Sequence, residues 1–306
     1  MVAAGRRRTM SKRGLKYLLV GLLLLQLTGC IRDEIEPCPP LEIRLAVKDK
    51  NYFNVDKVDL EERVDEDLPF RTYVPNLYYQ LRDADSGEIL EEQEIPQIDS
   101  DEKEFVYSHC CLPHGEYIVT VWGGITNPDK LDDYKHTLTL HPEHTQGDDV
   151  YLVCDTLVYD AYTYSHKLEM ERTKGKLIVQ SFNLPAHINA SEITADHLWG
   201  QVDESLNYSG QTEVTHPATF EPQFEIVDKS LLAPSTGMKN TILKVDFYRE
   251  SDSYRPLVMS PPDINITMHR NELTVVRYVY DAQNNEFLIY VLINDSWQQV
   301  HGLIID

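Results

Sequence analysis

From residue 41 onward, apolar and polar side chains alternate with a period of two. That is the spacing of half-buried strands, not of amphipathic helices. Leu41-Glu42-Ile43-Arg44-Leu45-Ala46-Val47 is the cleanest example. Residues 77–81, 105–107, 117–122, 137–140 and 150–153 continue the pattern. Turn formers separate them: Asp85-Ser86-Gly87, Pro113-His114-Gly115, Asn127-Pro128-Asp129 and Gln146-Gly147-Asp148. A second set of strands is predicted at 176–182, 220–227, 241–248, 264–268, 273–280 and 287–293, the last two joined by the hairpin loop 281–285. Two stretches read differently. Residues 56–68 are rich in Asp and Glu and fit one short helix or an acidic loop. Residues 186–200 fit a short helix capped by Asn189 or Ser191 ahead of Glu192. Short strands at this spacing predict an all-β chain of two tandem β-sandwiches. The break falls within 155–175, which gives domains at 41–160 and 161–306, each of ordinary size.

The N-terminus breaks the pattern. Six basic residues (Arg6, Arg7, Arg8, Lys12, Arg13 and Lys16) precede an 11-residue apolar run, YLLVGLLLLQL, at 17–27. A spanning helix needs about 20 residues, so the run is the core of a signal peptide, with Met1 or Met10 as its start. It ends in Leu27-Thr28-Gly29-Cys30. Small residues suit the narrow groove of a signal peptidase, and a cysteine just after them supplies a thiol for diacylglycerol. This tetrapeptide resembles the bacterial lipobox and makes Cys30 the predicted lipidation site. Several acyl chains at one residue give stable anchoring, since each buried CH₂ contributes about 0.8 kcal/mol. Residues 30–40 then form a short acidic, proline-bearing tether, and Asp33, Glu34 and Glu36 resemble a surface-export signal of Bacteroidota lipoproteins.

Charge narrows the partners. The chain has 28 Lys and Arg against 50 Asp and Glu. The first 29 residues hold six of the bases and no acid, which leaves 22 against 50, or −28, over residues 30–306. Such a body repels phosphate backbones and anionic headgroups, so nucleic acid is excluded and membrane contact falls to the lipid. Besides Cys30 there are four cysteines: Cys38, Cys110, Cys111 and Cys154. They allow three pairings in a compartment that permits disulfides. Vicinal pairing is sterically poor, so a bridge from Cys38 to Cys110 or Cys111 is favoured, with free buried thiols as the alternative.

Candidate chemistry is sparse. His109, His114, His136, His141 and His144 cluster in sequence, and His141-Pro142-Glu143-His144 could offer two imidazoles and a carboxylate to a metal. Pro142 blocks the helix that would align the rings, so no metal site and no cofactor are predicted. Tyr159, Tyr162 and Tyr164 alternate and fit either a carbohydrate platform or plain packing. The acidic groups 65–67, 99–101 and 132–133 lack EF-hand spacing. No G-x-S-x-G or phosphate-binding loop occurs, so no enzyme is predicted.

Three stretches carry a family resemblance. These are Cys30 with its acidic tether and Cys38-Pro39; Leu112-Pro113-His114-Gly115-Glu116-Tyr117 running into Val121-Trp122-Gly123-Gly124; and the C-terminal hairpin ending in Ile293-Asn294-Asp295-Ser296-Trp297. Together they resemble the FimB-like anchor lipoproteins of the fimbrillin superfamily of Bacteroidota. Residues 155–160 depart from the family, which often has a Phe- or Gly-bearing segment there. The residues Leu112, Pro113, Gly115, Tyr117, Trp122, Gly123 and Gly124 read as architecture: a turn, a strand and a glycine stop. The resemblance implies two Greek-key, transthyretin-like sandwiches and a place at the base of a fimbria on the outer membrane. It also implies a fimbrillin-type partner bound by strand exchange. A fimbrial tip adhesin or a glycan-binding surface lipoprotein is the alternative.

Overall fold

The computed structural model describes residues 39–301, apart from residues 59, 61, 111, 252–253 and 294. The signal peptide, Cys30 and Cys38 therefore lie outside the described residues. The fold is all-β, as the alternation predicts.

The first sandwich has two layers. Strands β1 (Leu41–Val47), β4 (Phe105–His109) and β8 (Ser165–Arg172) form one, in the order β8-β1-β4. Strands β2 (Leu77–Asp83), β3 (Ile89–Ile95), β5 (Gly115–Gly123) and β7 (Tyr151–Tyr159) form the other, in the order β3-β2-β5-β7. The layers join where Tyr151 and Leu152 of β7 pair with Arg172 and Glu171 of β8. Alternation does the packing. Leu41, Ile43 and Leu45 are fully buried, while Glu42 and Arg44 on the outer face pair at 3.0 Å. Leu77, Tyr79 and Leu81 meet them from β2, and Tyr117, Val119 and Val121 from β5.

The second sandwich repeats the plan. One sheet holds β10 (Ala190–Asp203), β11 (Tyr208–Thr219), β13 (Thr241–Tyr248) and β14 (Leu257–Met259), in the order β11-β10-β13-β14. Strand β15 (Ile264–Ile266) also pairs with β13, and β6 (Thr137–Thr139) crosses over to pair with β10. The other sheet holds β9 (Gly175–Phe182), β12 (Glu225–Leu232), β16 (Leu273–Asp281), β17 (Glu286–Ile293) and β18 (Ser296–Val300), in the order β12-β9-β16-β17-β18. Each sandwich contains one parallel pair, β1 with β8 and β9 with β16.

Two expectations are corrected. Residues 186–200 are not a helix, because β10 runs through them. Its buried Ala195 and Leu198 lie three apart across a bulge at Asp196 and His197, and that step imitates helical spacing. The segment 155–175 is not a break, since β7 and β8 fill most of it. Strand β8 belongs to the first sandwich through β1, so the crossing to the second is Thr173-Lys174, beyond the boundary at 160. Of the two alternatives for the acidic segment 56–68, the loop holds among its described residues; it opens with a 3-10 turn at Val55–Lys57 and is followed by a one-turn helix, α1 (Phe70–Tyr73).

Two apolar clusters fasten the sandwiches together. In one, Tyr78, Trp122 and Leu152 on the outer face of the first sandwich meet Leu138, Val202 and Ala233. In the other, Tyr52, Val55 and Val58 cover Ile178, Leu273 and Val275 on the outer face of β9 and β16. Charge reinforces the joint. Arg82 reaches Glu204 at 2.7 Å, and both are largely buried. Arg172 pairs with Asp149 at 3.0 Å, and its guanidinium lies 4.3 and 4.9 Å from the ring centres of Tyr52 and Tyr151. Lys174 is buried in the crossing itself, donating to the carbonyls of Leu140 (2.7 Å) and Gln146 (2.6 Å). Burial lowers its pKa to about 7.

Strands β1 and β8 run from the pole where Pro39 enters toward this joint, a path of about 23 Å for seven residues. At the entry pole, Tyr159 donates to the carbonyl of Pro39 at 2.7 Å.

Candidate functional site

Both sandwiches have an edge where their two sheets part, and the edges differ. In the first, β3 and β4 are the end strands, and side chains bridge them. Tyr107 donates to Glu91 at 2.5 Å, and His109 Nδ1 meets the other oxygen of Glu91 at 2.6 Å. Tyr79 bonds His109 Nε2 at 2.7 Å and stacks on Tyr107 at 4.6 Å. With Nδ1 donating to a carboxylate, Nε2 accepts from the Tyr79 hydroxyl. Burial pulls the His109 pKa below the usual histidine value, partly opposed by Glu91. The seam is thus latched by a polar cluster.

In the second sandwich, β14 and β18 are end strands of facing sheets. Between them lies a cavity of about 490 Å³, lined by Val258, Met259, Phe287, Ile289 and Val300. Pro261 and Pro262 form part of its lining. They have no N–H to offer a neighbouring strand. Phe287 is fixed from behind, stacked on Phe247 at 5.5 Å and edge-on to Tyr278 at 6.3 Å. The seam is preformed and open, with Ser260, Tyr280, Asn285, Glu286 and His301 lining it beside the apolar side chains, and the backbone edge of β18 flanks it.

A larger hollow of about 590 Å³ sits at the joint, lined in part by Tyr52, Glu62, Tyr73 and Arg172. Its cations are engaged. Lys176 and Lys229 share Glu62, and Arg172 holds Asp149. Its groups brace the joint.

The other predicted residues fall into place one by one. Leu112 packs against the first core, and Tyr117 donates to the carbonyl of Pro113 at 2.5 Å, closing the turn that leads into β5 at Gly115. Trp122 is fully buried at the joint and donates to the carbonyl of Lys135 at 3.0 Å. A side chain at Gly123 would strike Val74, and Gly124, at φ +79°, lies against the carbonyl of Asp149. These residues build the first sandwich and its contact with the second. Cys110 is exposed and Cys154 half-buried, both as free thiols. Cys111, like Cys38, lies outside the described residues.

His141 and His144 do not converge. His141 is buried, its Nδ1 donates to the Thr145 carbonyl at 2.8 Å, and its Nε2 accepts the N–H of Ala233 at 2.9 Å. Burial, with Lys174 nearby, lowers its pKa to about 3. Both nitrogens are spent on tying the 141–146 loop to the second sandwich. The tyrosine trio does not form a platform either: Tyr159 is core, while Tyr162 is 93% exposed at the entry pole. Of the acidic groups, Asp67 pairs with Lys103 at 2.7 Å, Asp101 with Arg71 at 2.5 Å, and Asp132 accepts the N–H of His136 at 2.8 Å.

No family model matches the chain, and no curated protein does. Solved structures match over most of its length. A candidate adhesin from Bacteroides thetaiotaomicron is 14% identical, covering 87% of this chain and 99% of its own, with a TM-score of 0.55. A candidate polysaccharide-binding protein from the same organism is 11% identical (85% and 98% covered, TM-score 0.54). A fimbrial assembly protein from Parabacteroides distasonis is 9% identical (85% and 98% covered, TM-score 0.50). At these identities the likeness is one of fold, and the fold of this chain is the one seen in fimbrial and adhesin-type proteins of Bacteroidota.

Proposed function

We propose that the protein is a non-enzymatic fimbrial subunit, lipidated at Cys30 and seated at the base of a fimbria on the outer membrane. The observation that carries this reading is the open, partly apolar seam between β14 and β18, on a fold shared with a fimbrial assembly protein. A strand donated by a fimbrillin-type subunit pairs its backbone with the edge of β18 and seats alternate apolar side chains in the cavity. Main-chain hydrogen bonds supply affinity in such β-augmentation, and the pockets supply specificity. The lipobox at 27–30 gives the anchor. The tether at 30–40 spans at most about 33–36 Å, which keeps the body near the membrane.

Immunogold labelling along isolated fimbriae, with a Cys30→Ala strain beside the parent, tests this. The expected result is label at the cell-proximal end and fimbriae shed into the medium by the mutant. Label at the distal end moves the protein to the tip and overturns the anchor role. So do fimbriae of normal length retained on Cys30→Ala cells.

A further inference from the structure

The outward face of the β12-β9-β16-β17-β18 sheet is covered by Tyr52, Val55, Val58 and Leu60 over one half only. Over the other half it is uncovered, and its side chains are unusual for so acidic a chain. One register row crosses all five strands: Val227, Gln180, Arg277, Tyr290 and Gln299. Four steps between strands make that row about 19 Å long. Rings flank it. Trp297 of β18 is 38% exposed, and Phe224, just before β12, is 72% exposed and edge-on to Phe182 at 5.7 Å.

Arg277 sits at the centre of the row. Its guanidinium lies 3.9 Å from the ring centre of Trp297 and 5.2 Å from that of Phe182. Its Nε and Nη2 both donate to the side-chain oxygen of buried Gln180, at 3.2 and 3.0 Å. Gln180 in turn donates to Glu225 at 2.9 Å. The guanidinium plane is thus locked on one edge and between two rings, while the edge bearing Nη1 points away from that lock. Arg82, Arg172, Arg255 and Arg270 each reach a carboxylate. Among the described residues Arg277 reaches none, in a chain of net charge −22. A forked donor held rigid with no anion is built for an anion from outside.

We propose that this face binds a saccharide carrying carboxylates, a short oligo-uronate. Sugar rings stack on Trp297 and Phe224, Tyr290 and Gln299 meet hydroxyls, and Arg277 takes one carboxylate end-on. Row length, ring placement and the lone cation fit a linear chain of several sugars better than a globular partner. The site stands apart from the seam, on the opposite face of the sheet, and does not depend on where along a fimbria the protein sits.

The test is calorimetric titration of the purified chain, free of fimbriae, with tetramers of galacturonate, glucuronate and mannuronate. The fully methyl-esterified galacturonate tetramer serves as the uncharged control. Saturable binding of at least one acidic tetramer is expected, at least about tenfold tighter than that of the ester. Arg277→Gln is expected to erase that difference, and Trp297→Ala to weaken both. Phe224→Ser, at a more exposed position, serves if Trp297→Ala lowers the melting temperature. Absence of binding by every acidic tetramer, equal affinity for acid and ester, or affinity unchanged in Arg277→Gln overturns the proposal. So does competition by an acidic peptide as effective as the best sugar, which would make the face a protein-docking surface.

Discussion

The two sandwiches treat the same structural problem in opposite ways. Both have end strands whose edges are unpaired among the described residues. The first covers the gap between β3 and β4 with Glu91, Tyr107, His109 and Tyr79, a cluster in which the hydroxyls, the imidazole and the carboxylate all find partners. The second leaves the gap between β14 and β18 open, with apolar and polar side chains lining it and none of the described ones bridging it. A closed seam stabilises a domain and resists edge-to-edge pairing, whereas an open one advertises a place for a strand. Under the proposed function, the first sandwich supplies stability and the second the association.

The sharpest way to break this contrast is a charge in the open seam. Val258→Arg is expected to reduce capture of a fimbrillin-type subunit by at least about tenfold, with the melting temperature nearly unchanged. Ile95→Arg, at the edge of the first sandwich, is expected to leave capture intact. Equal loss in both would erase the distinction.

A smaller effect comes from opening the latch. His109→Ala leaves Glu91 and Tyr79 each short of a buried partner and should cost about 1–3 kcal/mol in chemical denaturation. The same latch predicts a pH dependence. Burial depresses the His109 pKa, so the folded chain binds fewer protons than the unfolded one. Its contribution is present above the ordinary histidine value near 6.5 and is lost as pH falls below it. Parent and His109→Ala stability curves should therefore converge on acidification.

A further effect concerns the joint. Lys174 titrates near 7 when folded and near 10.5 when unfolded. Between those values the unfolded chain holds the extra proton, so this group adds stability as pH rises from 7 toward 10. The melting temperature of the parent should rise relative to Lys174→Met over that window. A difference that stays flat would place the Lys174 amine in a wetter setting than its two carbonyl partners imply.

How much of this was legible in the sequence follows from what each strand faces. β1 reads cleanly because one face meets the core and the other meets water. β2 is buried on both faces, by the sandwich on one side and the joint on the other, so its polar residue Arg82 looks out of place until Glu204 is brought beside it. β3, with ILEEQEI, has no fully buried residue and carries no core signal. β10 misleads through its bulge. The motif around Tyr117 and Trp122 is legible as turn, strand and glycine stop, because these are local. The open seam was not legible. It is built from residues near 260, 287 and 300, and no local pattern reports that two sheet edges stand apart. Likewise the row through Arg277 exists only once five strands are in register.

The parallel pairing of β1 with β8 has a mechanical meaning. The chain enters β1 at the Pro39 pole and leaves β8 at the joint, and six residue pairs bind the two strands in between. A pull on the second sandwich against a fixed Pro39 therefore runs along the strands and not across them. The ladder is loaded in shear, so its hydrogen bonds share the force instead of parting one at a time as in a zipper. If the protein sits between an anchor and a filament as proposed, this wiring suits it to hold tension better than a hairpin pulled open from its ends.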